Sequence, residues 1–347
     1  MKFIKKFKLN LFIQFLIINF TMLVFVIFIY NTRDINKFQG LANPYLEKYV
    51  VLSVSILPNT NFYYFQLPML VKAWRKVGFK SIIILVTPEL PIKDKEALKT
   101  IEYLEKFKAS IIYLRSIDKY EKILSLTSRL FVGYLNESII NDEDFIITSD
   151  SDLYPIEKNF YLNHYYRSDK SMIFVWNAYC CGEFKYRNEL FTMYPIGHIG
   201  TTKKNWRSLM KLKSTKQQNF TSEFILDYVR NFFQQEYIIR ENDKLERADD
   251  NWDLDQKMIS VNVNKYIKLS NTKLIKLDHD CLRLDRHNFE PRNYKLDEFC
   301  DFHSFHANVF NKTDLLQNVY DKLFNNETNF MIKNYIKEFL EIKNNSN

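Results

Sequence analysis

The feature that most constrains this chain is an alternation of two patterns between residues 50 and 148. Four short runs are rich in β-branched and apolar residues: Val50-Val51-Leu52-Ser53-Val54-Ser55-Ile56-Leu57, Ser81-Ile82-Ile83-Ile84-Leu85-Val86, Ser110-Ile111-Ile112-Tyr113-Leu114 and Phe145-Ile146-Ile147-Thr148. Runs of this length and composition, closed by turn residues, read as buried strands. The segments between them have helical spacing. Phe65, Met69, Leu70, Ala73, Trp74 and Val77 share a broad face that ends at Gly78; Leu98, Ile101, Leu104 and Phe107 form a second; a third helix is expected over about residues 119–135. Pro68 is expected in the first turn of the first helix, where its missing N–H costs nothing. Strands that alternate with helices call for crossover connections, so the expected class is α/β, a mostly parallel sheet with helices on both faces. In such sheets ligands sit beyond the carboxyl ends of the strands.

The fourth strand runs directly into Ser149-Asp150-Ser151-Asp152-Leu153-Tyr154-Pro155. Residues two apart in extended backbone project to the same side, so Asp150 and Asp152 can aim two carboxylates at one point. A hard divalent cation, Mn²⁺ or Mg²⁺, would relieve their repulsion. It would also assist departure of a diphosphate as a Lewis acid. The alternative is an Asx turn, with Asp150 capping the strand exit and Asp152 solvated. Glycine is scarce, six residues in all, and neither a Walker loop nor a GxGxxG is present. Without a glycine-rich cradle, phosphate handling falls to a carboxylate-held cation.

The N-terminus carries a different signal. Residues 11–30, LFIQFLIINFTMLVFVIFIY, hold no charge, and as a helix they span about 30 Å, the thickness of a hydrocarbon core. A cleaved signal has a shorter apolar region and ends in small residues, whereas this run ends Phe28-Ile29-Tyr30-Asn31. The expected organisation is a cytosolic tail over 1–10, an uncleaved transmembrane anchor over 11–30 and a short stem over 31–48. Lys2, Lys5, Lys6 and Lys8 precede the run, which orients the chain as a single-pass type II protein with the remainder lumenal. Sequons at Asn136, Asn219, Asn311, Asn326 and Asn344 fit that side. So do four cysteines, Cys180, Cys181, Cys281 and Cys300, whose spacing suits bridges rather than zinc. The formal charge of +8 looks like an invitation to polyanions. Removing the four tail lysines leaves 45 bases against 41 acids, without a concentrated basic stripe, so nucleic acid is not an expected partner.

An apolar strand followed by Asp-Ser-Asp, an apolar residue and Tyr-Pro, behind an uncleaved anchor, resembles the GT-A fold glycosyltransferases of the Golgi. The resemblance spans residues 49–309 in topology and motif order, leaving 310–347 as a C-terminal helical extension. It implies a Rossmann-like catalytic domain in the Golgi or ER membrane. The activity implied is a hexosyl- or pentosyltransferase that moves a sugar from a nucleotide-diphosphate donor, UDP-sugar foremost, to a lumenal glycan or glycoprotein. It implies that the first strand and its following loop, with Ser55 and Asn59, hold the nucleotide. It further implies that Asp152 chelates Mn²⁺ directly while Asp150 works through ribose or metal-bound water, and that a late histidine, His306 or His303 of Asp301-Phe302-His303-Ser304-Phe305-His306, completes the metal site. Asp255-Gln256, at the end of Asp249-Asp250-Asn251-Trp252-Asp253-Leu254-Asp255-Gln256, resembles the Asp-Gln of several nucleotide-sugar transferases, where the acid lies near donor sugar or acceptor hydroxyl. Asp255 is then the favoured catalytic carboxylate, ahead of Asp253 and Asp250. Helix capping is the alternative role for this acidic cluster.

Three further features have two readings each. In Tyr194-Pro195-Ile196-Gly197-His198-Ile199-Gly200 the glycines permit either close approach to a sugar or a tight turn. Trp206 with Lys203, Lys204, Lys211 and Lys213 is either an acceptor-side rim or a solvated helix face. Arg283 and Arg286 either neutralise a diphosphate or join Asp285 in an ion-pair network. Against the transferase stands a non-catalytic alternative, a membrane-tethered sugar-binding protein that retains the fold. An aspartyl-nucleophile phosphatase also uses DxD, but after its first strand and without Tyr154 in that place.

Overall fold

The computed structural model describes residues 47–57, 60–117, 120–166, 172–210, 220–233, 253–278, 282–287, 289, 295–305 and 308–346. The expected tail, the anchor at 11–30 and nearly all of the stem lie outside these, as do Asn59, Asp250, Cys281 and His306. No helix among the described residues is long and apolar enough to cross a membrane.

The expected alternation is present. β1 (Lys48–Ser55), α1 (Asn61–Lys76), β2 (Lys80–Thr87), α2 (Lys95–Lys106), β3 (Ser110–Arg115), α3 (Glu121–Thr127) and β4 (Phe145–Thr148) follow one another. β1 pairs in parallel with β2 and β4, and β2 with β3. Ile82, Ile84 and Val86 of β2 pack into one core with Leu130, Phe131 and Trp206. The alternate residues Ile83 and Leu85 are also buried, which is why these strands read as continuous apolar runs. Asp94 starts α2 by accepting from Ala97 N at 2.7 Å.

Three local expectations need correction. Pro68 sits inside α1, not in its first turn, and is buried there; the helix starts at Asn61 and tolerates the missing donor because packing holds both sides. The third helix is shorter than expected, since after α3 the chain tightens into a 3₁₀ segment, Ser128–Tyr134. Trp206 and Lys203 form neither a rim nor a solvated face: Trp206 is fully buried with Nε1 on the Ile146 carbonyl at 3.1 Å, and Lys203 is buried with Nζ on the Ile140 carbonyl at 2.8 Å.

Beyond β4 come β5 (Leu153–Pro155), α4 (Lys158–Tyr166), β6 (Met172–Trp176), β7 (Glu183–Tyr186), β8 (Glu189–Thr192), β9 (Ile199–Thr202), α5 (Lys203–Leu209), α6 (Ser222–Phe233), α7 (Leu254–Leu269) and β10 (Lys273–Leu277). The main sheet has seven strands in the order β10-β6-β9-β4-β1-β2-β3. β9 is antiparallel to both β4 and β6. It arises from the segment read as a glycine-bearing loop. Gly200 is a strand residue, and the position takes only glycine, because a Cβ there would lie 2.6 Å from the Phe145 ring and 2.9 Å from that of Trp176.

β11 (Leu282–Asp285) and β12 (Phe299–His303) form a smaller sheet with β5, in the order β11-β12-β5. The chain closes with α8 (Thr313–Leu323) and α9 (Asn326–Ser346). These last helices build part of the core: Tyr335 and Phe339 are fully buried, Phe339 lies 4.8 Å from the Phe65 ring, and Tyr335 donates to the Phe65 carbonyl. Cys180 and Cys181 are bonded to each other, and Cys300 is disulfide-bonded.

Candidate functional site

The junction between the two sheets makes the site. β4 belongs to the main sheet and β5 to the smaller one, so Ser149–Asp152 is the crossing point between them. His303 pairs with Leu153 across β12/β5 and with Asp285 across β12/β11. Register therefore delivers Asp152, Asp285, Arg286 and His303 to one edge. A backbone bond from Ser304 N to the Asp152 carbonyl, 2.8 Å, pins that edge.

Beside it lies a cavity of about 540 Å³. Ser53 to Ser55, at the carboxyl end of β1, form one wall; Asp150, Asp152, Arg286 and His303 form another; Arg129, Asp253, Asp255 and Gln256 close a third. This is the strand-end position expected for a ligand. The structure thus brings Ser55, Asp150, Asp152, Asp253, Asp255 and His303 around one space.

The two DxD carboxylates are held separately. Asp150 accepts from Arg129 Nη1 at 2.6 Å. Asp152, whose side chain is 5% exposed, accepts from Arg286 Nη1 at 3.0 Å and lies 3.5 Å from His303 Nε2. Asp285 accepts at the other imidazole nitrogen, Nδ1, at 3.1 Å. Burial opposes the charged imidazole, but the bond to Asp152 and its charge outweigh it and hold the pKa of His303 above its ordinary value. For Asp285 burial also favours the neutral form, yet the His287 backbone N–H and His303 together hold the carboxyl below its ordinary value.

Arg129 ties the first motif to the second. Its Nη2 bonds Asp255 Oδ2 at 2.7 Å while Nη1 holds Asp150 and the Ser149 carbonyl. Burial disfavours this guanidinium, but the charges of Asp150 and Asp255 more than restore it. Asp255 stands in the first turn of α7 and also accepts from Gln256 N at 2.8 Å. Being 2% exposed, it has its pKa pushed up by burial beyond what Arg129 recovers. Helix-end placement and a cavity-facing role coincide at this residue, so the two readings of the acidic cluster are compatible. Asp253 pairs with Lys257 at 3.0 Å.

Gly197 takes the tight-turn reading: it is the middle residue of the 3₁₀ turn Ile196–His198, without a positive φ, and it packs against the DxD loop. A Cβ there would lie 2.8 Å from Asp150 Oδ2. The neighbour it admits is thus the DxD carboxylate. Arg283 and Arg286 divide their roles: Arg283 is locked onto buried Asp301 at 2.7 and 2.8 Å, while Arg286 reaches the cavity.

Sequence reasoning missed Arg129. Its signal is modest: it is the charged residue in the otherwise uncharged stretch Ile123-Leu124-Ser125-Leu126-Thr127-Ser128-Arg129-Leu130-Phe131-Val132-Gly133-Tyr134-Leu135. A lone charge on an apolar segment is seldom buried unless paired.

A divalent cation in this cavity would have to be held by this donor set. Among the described residues no three His, Cys, Asp or Glu side chains stand ready to hold one, and Arg129 and Arg286 pair with Asp150 and Asp152. The chemistry of the donors nevertheless fits. His303 has one ring nitrogen fixed by a carboxylate and the other turned to Asp152, the arrangement that orients metal-binding imidazoles.

No protein-family model matches the chain, and no curated protein matches it. Similar solved structures include the galactosyltransferase LgtC in complex with donor and acceptor sugar analogues, with TM-score 0.40, 9% identity, and coverage of 74% of this chain and 86% of that one. A glycosyltransferase involved in glycosylation of the major capsid of PBCV-1 has TM-score 0.33 and 12% identity, covering 74% of this chain and 92% of its own. The 4-diphosphocytidyl-2C-methyl-D-erythritol synthase has TM-score 0.34 and 6% identity, covering 72% and 94%. At these TM-scores the likenesses carry no weight on chemistry.

Proposed function

We propose that the protein is a GT-A-type glycosyltransferase that moves a sugar from a nucleotide-diphosphate donor to a glycan or glycoprotein. The carrying observation is convergence: the end of β1, the DxD loop and Asp255-Gln256, far apart in sequence, line one cavity. Ser55 and its neighbours would receive the nucleotide. Asp152 and His303, with Asp150 alongside, would hold Mn²⁺ or Mg²⁺, which when bound supplies Lewis-acid neutralisation of the leaving diphosphate. Arg129 keeps Asp150 and Asp255 in fixed relation, and Asp255, with its raised pKa, suits acceptance of the acceptor hydroxyl proton. Asp253 faces the same cavity and would contact the acceptor. The run at 11–30 would anchor the enzyme as a single-pass type II protein of the Golgi or ER membrane, with 49–309 lumenal.

The test is nucleotide release by the full chain in detergent from a panel of UDP- and GDP-sugars, with and without Mn²⁺. Turnover is expected with one donor, and Asp255→Asn is expected to lower kcat about a hundredfold or more. Turnover indifferent to Asp152→Ala would defeat the reading. A donor that binds but never turns over would favour the tethered sugar-binding alternative.

A further inference from the structure

Arg286 directly follows Asp285, and the two neighbours hold opposite members of one pair: Asp285 takes the His303 imidazole and Arg286 the Asp152 carboxylate. The Arg286 side chain is 7% exposed. Both of its bonds leave from Nη1, to Asp152 Oδ2 at 3.0 Å and to the Ser304 carbonyl at 2.6 Å. Its buried Nε has no acceptor among the described residues. Although the residue lines the cavity, this nitrogen is sealed from it, so the guanidinium's bonding is incomplete in this arrangement. Arg129 Nε, on the same cavity, is in the same condition.

We propose that Arg286 is an exchange residue: it neutralises Asp152 while the cavity is empty and transfers to the donor's diphosphate when a divalent cation takes Asp152. Cation and nucleotide then bind weakly apart and strongly together. The inference rests on the transferase reading above. Its physical basis is charge. An ionised carboxylate as buried as Asp152 is strongly disfavoured without a countercharge, and Arg286 supplies one. A cation on the same oxygen would place like charges within a few ångströms, so the guanidinium must leave. Its planar fork suits two phosphate oxygens, and its bond to the Ser304 carbonyl keeps it at the wall. The nucleotide thus provides the acceptor that the cation removes, which is a coupling free energy between two ligands.

The experiment titrates Mn²⁺ into the full chain, with and without UDP, followed by the electron paramagnetic resonance signal of free Mn²⁺. Wild type, Arg286→Ala and Arg286→Lys are compared. In wild type, UDP is expected to tighten Mn²⁺ binding at least about tenfold beyond its own chelation. Arg286→Ala is expected to bind Mn²⁺ alone about tenfold more tightly than wild type and to lose most of the UDP effect. Arg286→Lys keeps the opposing charge, so its binding of Mn²⁺ alone stays weak while the UDP effect falls; it decides the matter should the alanine variant not fold. Equal affinity of wild type and Arg286→Ala for Mn²⁺ alone, or an undiminished UDP effect in Arg286→Lys, overturns the exchange and leaves the transferase standing. Wild type that binds no Mn²⁺ under either condition removes the cation from the transferase reading, and the exchange with it.

Discussion

Asp150 shows how a single residue depends on its surroundings. The spacing of the DxD motif identified it, but extended-strand geometry alone assigned it a partner in Asp152. In the fold Asp150 turns to Arg129, because a buried guanidinium already shared with Asp255 offers a stronger bond than a second anion could. Asp152, Asp255 and His303, which line one cavity, were singled out for the same local reason, an acid or imidazole in a motif at an element's end. Arg129 was not, since its role exists only once residues 21 and 126 positions away arrive beside it. Gly197 gives a test at this scale. In Gly197→Ala the new methyl would press on Asp150 Oδ2, and the yielding atom is the end of a flexible side chain. The expected result is a kcat/KM lowered by roughly tenfold, with a thermal midpoint within a few degrees of wild type. An unchanged kcat/KM would show that the pairing of Asp150 with Arg129 is not needed for turnover.

At the scale of elements, periodicity identified β1 to β4 and the intervening helices because each buries a continuous apolar run or a stripe. It missed β9, whose Ile-Gly-Thr-Thr has no such run; this strand exists because the gap between β4 and β6 admits an antiparallel strand with no side chain at Gly200. It also missed the joint between the turn before β4 and α5. There Arg207 bonds Asp142 with Nη1 and Nη2 and the Gly133 carbonyl with Nε. The hydrogen bond from Arg207 holds the Asp142 carboxyl below its ordinary value of 3.8, against a smaller opposing effect of burial. A lowered folded-state pKa contributes stability that is present above the unfolded value and lost as pH falls through the folded one. Asp142→Asn is therefore expected to be less stable than wild type at neutral pH, with the gap closing as pH falls from the unfolded value through the lower folded one. Urea midpoints of both proteins across that range measure it, and a gap that stays constant in acid would assign the loss to something other than ionisation.

For the whole molecule, charge and exposed asparagines bear on the type II topology proposed above. Half of the formal charge lies in four lysines before an uncharged run, and the remaining chain is close to balanced. That distribution would orient the anchor proposed above and gives the rest no reason to gather polyanions. The fold adds an independent consideration. Asn136, Asn311, Asn326 and Asn344, the sequon asparagines among the described residues, are all exposed, although nothing in their sequence context required it. An exposed asparagine can take a glycan without disturbing packing, whereas a buried one could not. If the chain is type II as proposed, full-length protein from eukaryotic cells should remain in the membrane pellet after alkaline carbonate. It should also shift to lower mass with peptide N-glycosidase, and lose that shift stepwise as these asparagines become glutamine. A chain that pellets but never shifts would challenge the lumenal placement of the cavity. A cytosolic cavity would leave the roles proposed for Asp152 and His303 untouched but would exclude a lumenal acceptor, because the cavity and that acceptor would lie on opposite sides of the membrane.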